Sequence, residues 1–358
     1  MKEDNMELDS LLHMAVERDA TDLHLTINSP PVIRIHGELE PVDLPVLTAA
    51  ETRELTFGIL TDKQKAVLEK DQSLDLAYTI NGDGRAVRFR VNLFFQRGAV
   101  AAAFRKLAQD IPGLEELHFP DALYKLCEMQ DGLILVTGPT GSGKSTTLAS
   151  LIDRINETKP CHIIAIEDPV EYIHFHKKAL VNQREVHTDV ISFSDGLRAA
   201  LREDPDVILV GEMRDLETIR TAIMAAETGH LVLSTLHTRD ATSTISRIVG
   251  VFPTDEQEQT AHQLSLTLKA VVSQRLLKCK DGAGRVPAAE IMLSTPGIAN
   301  MIRMHKMEQI RSVIETSAGM GMQSMEHSLV RLFRENKIDK ETVLKNARDI
   351  KYIERLMK

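Results

Sequence analysis

Gly138-Pro139-Thr140-Gly141-Ser142-Gly143-Lys144-Ser145-Thr146-Thr147 follows the apolar run Leu133 to Val136 and opens a stretch with helical spacing. It fits G-x-x-x-x-G-K-[ST], and a strand before with a helix after is the context the motif requires. Glycines let backbone N–H groups close around phosphate oxygens at a helix N-terminus, where unpaired donors and the helix dipole favour an anion. Lys144 brings a point charge to the β- and γ-phosphates, and the Ser145 hydroxyl suits Mg²⁺. With Gly at about 7% of residues, such a pattern arises by chance in a chain of this length on the order of 1% of the time. Gly138 through Thr146 are therefore expected to hold a nucleoside triphosphate, with Mg²⁺ beside it.

Hydrolysis also needs groups that hold the metal and orient water. Two apolar runs deliver carboxylates at their C-terminal ends, where open α/β sheets bind ligands. Asp206 to Val210 leads through Gly211 to Glu212, and His162 to Ile166 leads to Glu167 and Asp168. A helix cap or solvated acid is the plainer account of either one alone. Both beside the phosphate loop point to chemistry. His230 and His237 bracket the run Leu231 to Leu236, roughly 23 Å apart in an extended strand, so they cannot share a metal. His237 falls at the phosphate end and His230 at the far end, where packing is expected.

Arg88 and Arg90 share a face of one expected strand, with Arg97 and Arg105 following in the same hairpin. An exposed basic face accounts for them structurally. As arginine fingers, Arg90, Arg97 and Arg105 would stabilise charge on the γ-phosphate from a separate domain or subunit.

The chain has 358 residues, more than one core usually supports, so two domains are expected. Residues 1–107 alternate helices with short strands as a small α+β unit, and Asn81-Gly82-Asp83-Gly84 signals a hairpin turn. Residues 108–120 read as a linker, and from 121 to 358 strands alternate with helices, the mark of a largely parallel sheet. Strands are expected at Leu133 to Thr137, His162 to Ile166, Val207 to Val210 and Leu231 to Thr235, and one long helix at Thr254 to Leu277. No apolar run approaches the roughly 20 residues that span a bilayer, and no secretory signal is legible at Met1 to Asp19, so a cytoplasmic chain without direct membrane insertion is expected. The formal charge of −9 and the lack of a basic stripe argue against a nucleic-acid partner. Cys127, Cys161 and Cys279 are too few and too scattered for a disulfide framework or a four-thiolate zinc site.

With these residues in view the chain resembles, almost end to end, the type IV pilus retraction ATPases of the type II/IV secretion ATPase superfamily. The resemblance rests on Asp22-Leu23-His24-Leu25, Arg34-Ile35-His36-Gly37, Arg88-Phe89-Arg90-Val91-Asn92 and Gln96-Arg97-Gly98. It continues through the phosphate loop, Ile166 to Glu171 as an acidic box, Asp204 to Asp215 as an atypical Walker B, and Glu227 to Thr238 as a histidine box.

The resemblance implies a PAS-like N-terminal domain followed by a RecA-like P-loop ATPase domain, assembled as a homo-hexamer that powers pilus retraction and twitching motility. The ring would dock on a polytopic inner-membrane platform protein, peripheral to the inner membrane, with N-terminal arginines closing over ATP. By analogy Glu212 belongs with Mg²⁺ and Glu167 with the attacking water, roles the residues themselves leave interchangeable. Extension and secretion relatives carry a longer N-terminal region and a four-cysteine metal motif, which favours retraction here. Where retraction motors resemble A-I-R-N-L-I-R, this chain has Gly297-Ile298-Ala299-Asn300-Met301-Ile302-Arg303. That departure admits an accessory paralogue, a nucleotide-gated partner of a second retraction ATPase, as the alternative. A RecA-like nucleic-acid motor is the more distant one.

Overall fold

The computed structural model describes residues 7–82, 85–107, 110–282 and 284–357. The chain divides into two compact units, Met1–Asp110 with Asp168–Ile173, and Ile111–Glu167 with His174–Lys358.

The first unit runs α1 (Leu8–Glu17), β1 (Asp22–Leu25), β2 (Val32–Ile35), β3 (Glu38–Pro41), α2 (Ala49–Phe57), α3 (Asp62–Asp71), β4 (Ser73–Gly82), β5 (Arg85–Gln96) and β6 (Ala99–Lys106). Its strands form an antiparallel sheet in the order β3-β2-β1-β6-β5-β4. Alternation decides which face is buried. Leu23, Leu25, Ile33, Phe89, Val91, Leu93 and Phe104 turn inward with Leu11, Leu12, Leu55 and Leu68 of the helices. Capping boxes at Thr48 and Glu51, and at Thr61 and Gln64, start α2 and α3. Sequence periodicity does not announce α3, because Leu68 is the one residue it buries. The turn expected at Asn81 to Gly84 and the start of the expected linker fall partly outside the described residues.

The second unit begins with α4 (Ala122–Cys127), β7 (Gly132–Thr137), α5 (Lys144–Thr158), β8 (His162–Glu167), β9 (Leu180–Glu185), α6 (Phe193–Ala200), β10 (Val207–Val210), α7 (Leu216–Glu227) and β11 (Leu231–Leu236). It continues with α8 (Ala241–Gly250), α9 (Gln257–Thr267), β12 (Leu268–Lys278), β13 (Arg285–Leu293), α10 (Pro296–Arg303), α11 (Ile310–Thr316), α12 (Met325–Arg334), α13 (Lys340–Asn346) and α14 (Ile350–Met357). The strands order as β13-β12-β7-β11-β10-β8-β9, all parallel neighbours except the antiparallel pair β12 and β13. Apolar clusters cover both faces of the sheet, which is why its central strands are fully buried runs. This is the mixed α/β architecture expected. No helix among the described residues is long and apolar enough to cross a membrane.

The long helix expected at Thr254 to Leu277 is a correction. The helix α9 ends at Thr267, and Leu268 onward is β12, hydrogen-bonded on both sides between β7 and β13. A strand buried on both faces writes a continuous apolar run, here Ala270, Val271 and Val272, that periodicity cannot separate from a buried helix.

Candidate functional site

Parallel strand ends assemble the site. In the order β7, β11, β10, β8 their C-terminal edges deliver the phosphate loop, His237, Glu212 and Glu167, with Thr137 opposite Leu236, Ser234 opposite Val210 and Val210 opposite Ile166. The sheet itself brings residues distant in sequence to one edge, where ligands of such sheets bind.

Each glycine of the loop has a local cause. Gly138, Gly141 and Gly143 take φ of 148°, 77° and 86°, a region other residues rarely enter. A Cβ on Gly138 would also lie 2.3 Å from the Gln274 carbonyl oxygen and 2.5 Å from Ser142 Oγ, so the loop closes only on glycine. Lys144, at the start of α5, donates from Nζ to the carbonyls of Gly138 at 3.0 Å and Pro139 at 3.2 Å, which holds its ammonium over the loop. Pro139, Thr140 and Ser145 are exposed, and Thr146 lines a cavity of about 400 Å³ that runs from Gly143 to Cys279, Arg285, Asn336 and Lys337. Its size suits a nucleoside beyond the phosphates.

Gln274, buried on β12, braces the loop from beneath. Its Nε2 donates to the Ser142 carbonyl at 2.7 Å and its Oε1 accepts from Thr147 Oγ1 at 3.0 Å. Next to it Ser273 pairs with Thr137 across the strands at 2.8 Å. Sequence reading missed Gln274, because the residues around it read as helix. The signal available was a polar Ser-Gln pair inside an apolar run, which a buried strand tolerates only when both are hydrogen-bonded.

Glu212 sits just past β10, mostly buried. Arg214 Nε approaches its Oε2 at 2.7 Å and His237 Nε2 approaches the same oxygen at 3.6 Å. The strand ends beneath are tied together, Thr235 Oγ1 donating to the Gly211 carbonyl at 2.7 Å and Ser234 Oγ to that of Val210 at 2.7 Å. Glu167 accepts from Gln183 Nε2 at 3.0 Å, a partner on β9 that sequence reading did not single out. His230, at the opposite end of β11, contacts the Ala225 carbonyl and the Thr228 hydroxyl, a structural arrangement.

In the first unit, β1, β6 and β5 place Asp22, Arg105 and Arg90 in one cross-strand row, with Arg34 opposite Asp22 on β2. Directly paired residues share a sheet face. The buried Asp22 accepts from Arg105 Nε at 2.8 Å and lies 3.8 Å from Arg34 Nε. Burial pushes its carboxyl up, but the Thr21 hydroxyl, Arg105 and His24 together hold it below its ordinary value. Arg90 remains half exposed, 3.7 Å from Asp75, while Arg88 donates to the Val170 carbonyl at 2.9 Å and to Thr79 at 3.1 Å. Arg97 does not join them. With Gly98 it forms the two-residue turn between β5 and β6, both at positive φ, and seven positions of extended chain separate it from Arg90 by roughly 23 Å.

Among the described residues no group of three or more His, Cys, Asp or Glu side chains is placed to hold a metal ion. A hydroxyl at the start of α5 and the Glu212 carboxylate two strands along the same sheet edge are the sparse kind of oxygen donors that suit Mg²⁺ carried on phosphates.

A family model described as Type II/IV secretion system protein matches residues 5–351. The chain is 46% identical to the type IV pilus retraction ATPase PilT of Pseudomonas aeruginosa, over 96% of this chain and 98% of that one. It is 40% identical to the type IV pilus ATPase PilU of the same organism, over 96% and 89%. The crystal structure of the pilus retraction motor PilT with bound ADP superposes with a TM-score of 0.89 at 48% identity, covering 98% of this chain and 99% of that one.

Proposed function

The chain belongs to the Type II/IV secretion system protein family, and on that footing we propose that it is an ATP-hydrolysing motor that powers type IV pilus retraction. Its end-to-end likeness to a pilus retraction ATPase supports the reading. The observation that carries it is the alignment of the braced phosphate loop, His237 and Glu212 on three adjacent strand ends. A glycine cradle, a lysine over it and an acidic residue on the same sheet edge are parts that phosphoryl transfer uses, and His237 stands between them on β11.

In this reading Gly138 to Thr146 bind the phosphates of ATP, Lys144 neutralises the β- and γ-oxygens, and the cavity beyond Thr146 receives the nucleoside. Ser145 and Glu212 would hold Mg²⁺, which when bound neutralises phosphate charge. His237 orients toward the γ-phosphate from beside Glu212, and Glu167, steadied by Gln183, orients water. Arg90 and Arg105 supply guanidinium groups from the first unit, in trans within a homo-hexamer, and Arg97 does so from the turn at the other end of their hairpin. Residues 1–107 form the PAS-like domain, 108–120 the linker and 121–358 the RecA-like domain, although residues 111–120 group with the second unit and Asp168–Ile173 with the first. The ring works in the cytoplasm, peripheral to the inner membrane, on a polytopic platform protein, so that cleavage moves one unit against another.

The accessory reading is favoured by one observation. The helix α10 docks through the fully buried Ile298 and Ile302, so the changed positions Gly297 and Ala299 alter its outward side rather than its packing. A paralogue tuned for a different contact would differ there.

Phosphate release from the purified protein tests the site. Lys144→Ala and Glu212→Ala should each lower turnover at least about 100-fold, and normal turnover in either refutes its assignment. Brisk turnover of the parent protein excludes a pure adaptor. Deletion of the gene should leave cells hyperpiliated and immotile if this is the primary retraction motor, and normally piliated if it is accessory.

A further inference from the structure

We infer that Arg348 is a positioning residue for ATP hydrolysis, clasping the loop that carries His237 to the C-terminal helices. The loop His237 to Asp240 joins β11 to α8. Asp240 caps α8 by accepting from Ser243 N at 2.7 Å, and the buried Glu290 of β13 accepts from Ala241 N at 2.9 Å. Two carboxylates therefore converge on one helix start. Arg348, between α13 and α14, donates from Nη2 to Asp240 Oδ2 at 2.7 Å and to the Arg239 carbonyl at 3.4 Å, and its Nη1 lies 4.0 Å from Glu290 Oε2.

The clasp has a second anchor. Arg275 donates to the Asn346 carbonyl at 2.9 Å, which ties the same stretch to β12, the strand that also carries Gln274. The C-terminal helices are seated through Val343 and Ile353 against Leu277 and Val286. A displacement of these helices thus pulls on Asp240, three residues from His237. Because His237 stands 3.6 Å from Glu212, a shift of about 1 Å is enough to change how the pair meets a reacting phosphate. Removing Arg348 takes away the cation that Asp240 and the buried Glu290 share, so the loop loses the contact that ties it to the C-terminal helices.

This inference rests on the reading of His237 and Glu212 as part of the hydrolytic site. Steady-state ATP hydrolysis and thermal unfolding of the full chain test it with Arg348→Ala, Arg348→Lys, His237→Ala and the His237→Ala/Arg348→Ala pair. Arg348→Ala should lower kcat about tenfold with KM within about twofold, because the nucleotide seat is untouched. Arg348→Lys should recover part of that loss, since a point charge still reaches Asp240. The double variant should be no slower than His237→Ala alone. Losses that multiply, a loss confined to KM, or parental turnover in Arg348→Ala beside an impaired His237→Ala overturn the clasp alone. Parental turnover in His237→Ala removes the reading beneath it and the clasp with it. Should Arg348→Ala fail to fold, Asp240→Asn keeps the capping oxygen and removes the charge, and the same pattern against His237→Ala decides.

Discussion

Gln274 Nε2 donates to the backbone carbonyl of Ser142 at 2.7 Å, so a buried side chain on β12 fixes the curvature of a loop more than a hundred residues upstream. The same amide accepts from Thr147 on the first turn of α5. One side chain thereby sets the loop and the helix against each other, the two parts that must agree for backbone N–H groups to converge on phosphate. Gln274→Leu keeps the volume and removes both bonds, leaving the Ser142 carbonyl and the Thr147 hydroxyl buried without this partner. Loss of about 2 kcal/mol of stability is expected, with weaker binding of ADP. Urea unfolding and nucleotide titration check this, and parental values in both would show the brace to be idle.

Two loop glycines should differ in a way their shared positive φ does not foretell. A Cβ at Gly141 meets nothing within 4 Å, whereas one at Gly138 collides with the Gln274 carbonyl. Gly141→Ala should cost about 1 kcal/mol, the strain of the left-handed region alone. Gly138→Ala adds a clash with backbone that cannot rotate away, and about 3 kcal/mol with loss of nucleotide binding is expected. Equal unfolding midpoints for the two variants would contradict the geometry.

How far the sequence could be read follows from where each signal lies. The phosphate loop, Glu167, Glu212 and His237 each sit at the end of a short apolar run, and a parallel sheet needs nothing more to gather them at one edge. The pairing of Arg90 with Arg105 was within reach as well. A two-residue turn at Arg97-Gly98 sets Gln96 opposite Ala99, and the antiparallel register that follows sets Arg90 opposite Arg105. Arg97 was grouped with them by sequence closeness, yet as the turn residue it stands at the far end of the hairpin. Gln274, Glu290 and Arg348 stayed hidden because their partners lie on strands and helices whose neighbours only the completed sheet determines. A buried strand bonded on both edges carries no alternation, so the run that holds Gln274 gave no period to read.

Asp22 is the one carboxylate in the row that carries Arg34, Arg105 and Arg90 on one face of the first unit's sheet. Asp22→Asn keeps the shape and removes the charge that offsets the guanidinium groups. Stability should fall by about 1–3 kcal/mol, and Arg105 should lose its fixed orientation. Since the carboxyl is held below its ordinary value in the folded chain, its contribution is present above the unfolded value and fades as pH falls through the folded one. Chemical unfolding at pH 7 and in mild acid should show the difference between parent and Asp22→Asn shrinking toward the acid end; a constant difference would argue that the charge is not what Asp22 contributes.

His174 sets a second, higher pH window. Burial lowers its imidazole from 6.5 to about 4, against a weaker upward pull from Asp153, whose carboxylate stands 3.9 Å from Nδ1, beyond hydrogen-bond reach. The folded chain therefore keeps this side chain neutral where the unfolded chain protonates it. A depressed folded value means full stability above about 6.5, lost progressively as pH falls toward about 4, and the linkage amounts to about 2 kcal/mol between pH 7.5 and pH 5. His174→Gln carries no proton in either state and should lack that part of the slope. Urea midpoints of parent and variant at the two pH values isolate the effect, because every other titrating group is common to both. If the two proteins lose stability in parallel, His174 is protonated in the folded chain at pH 5 and its burial does not exclude the charge.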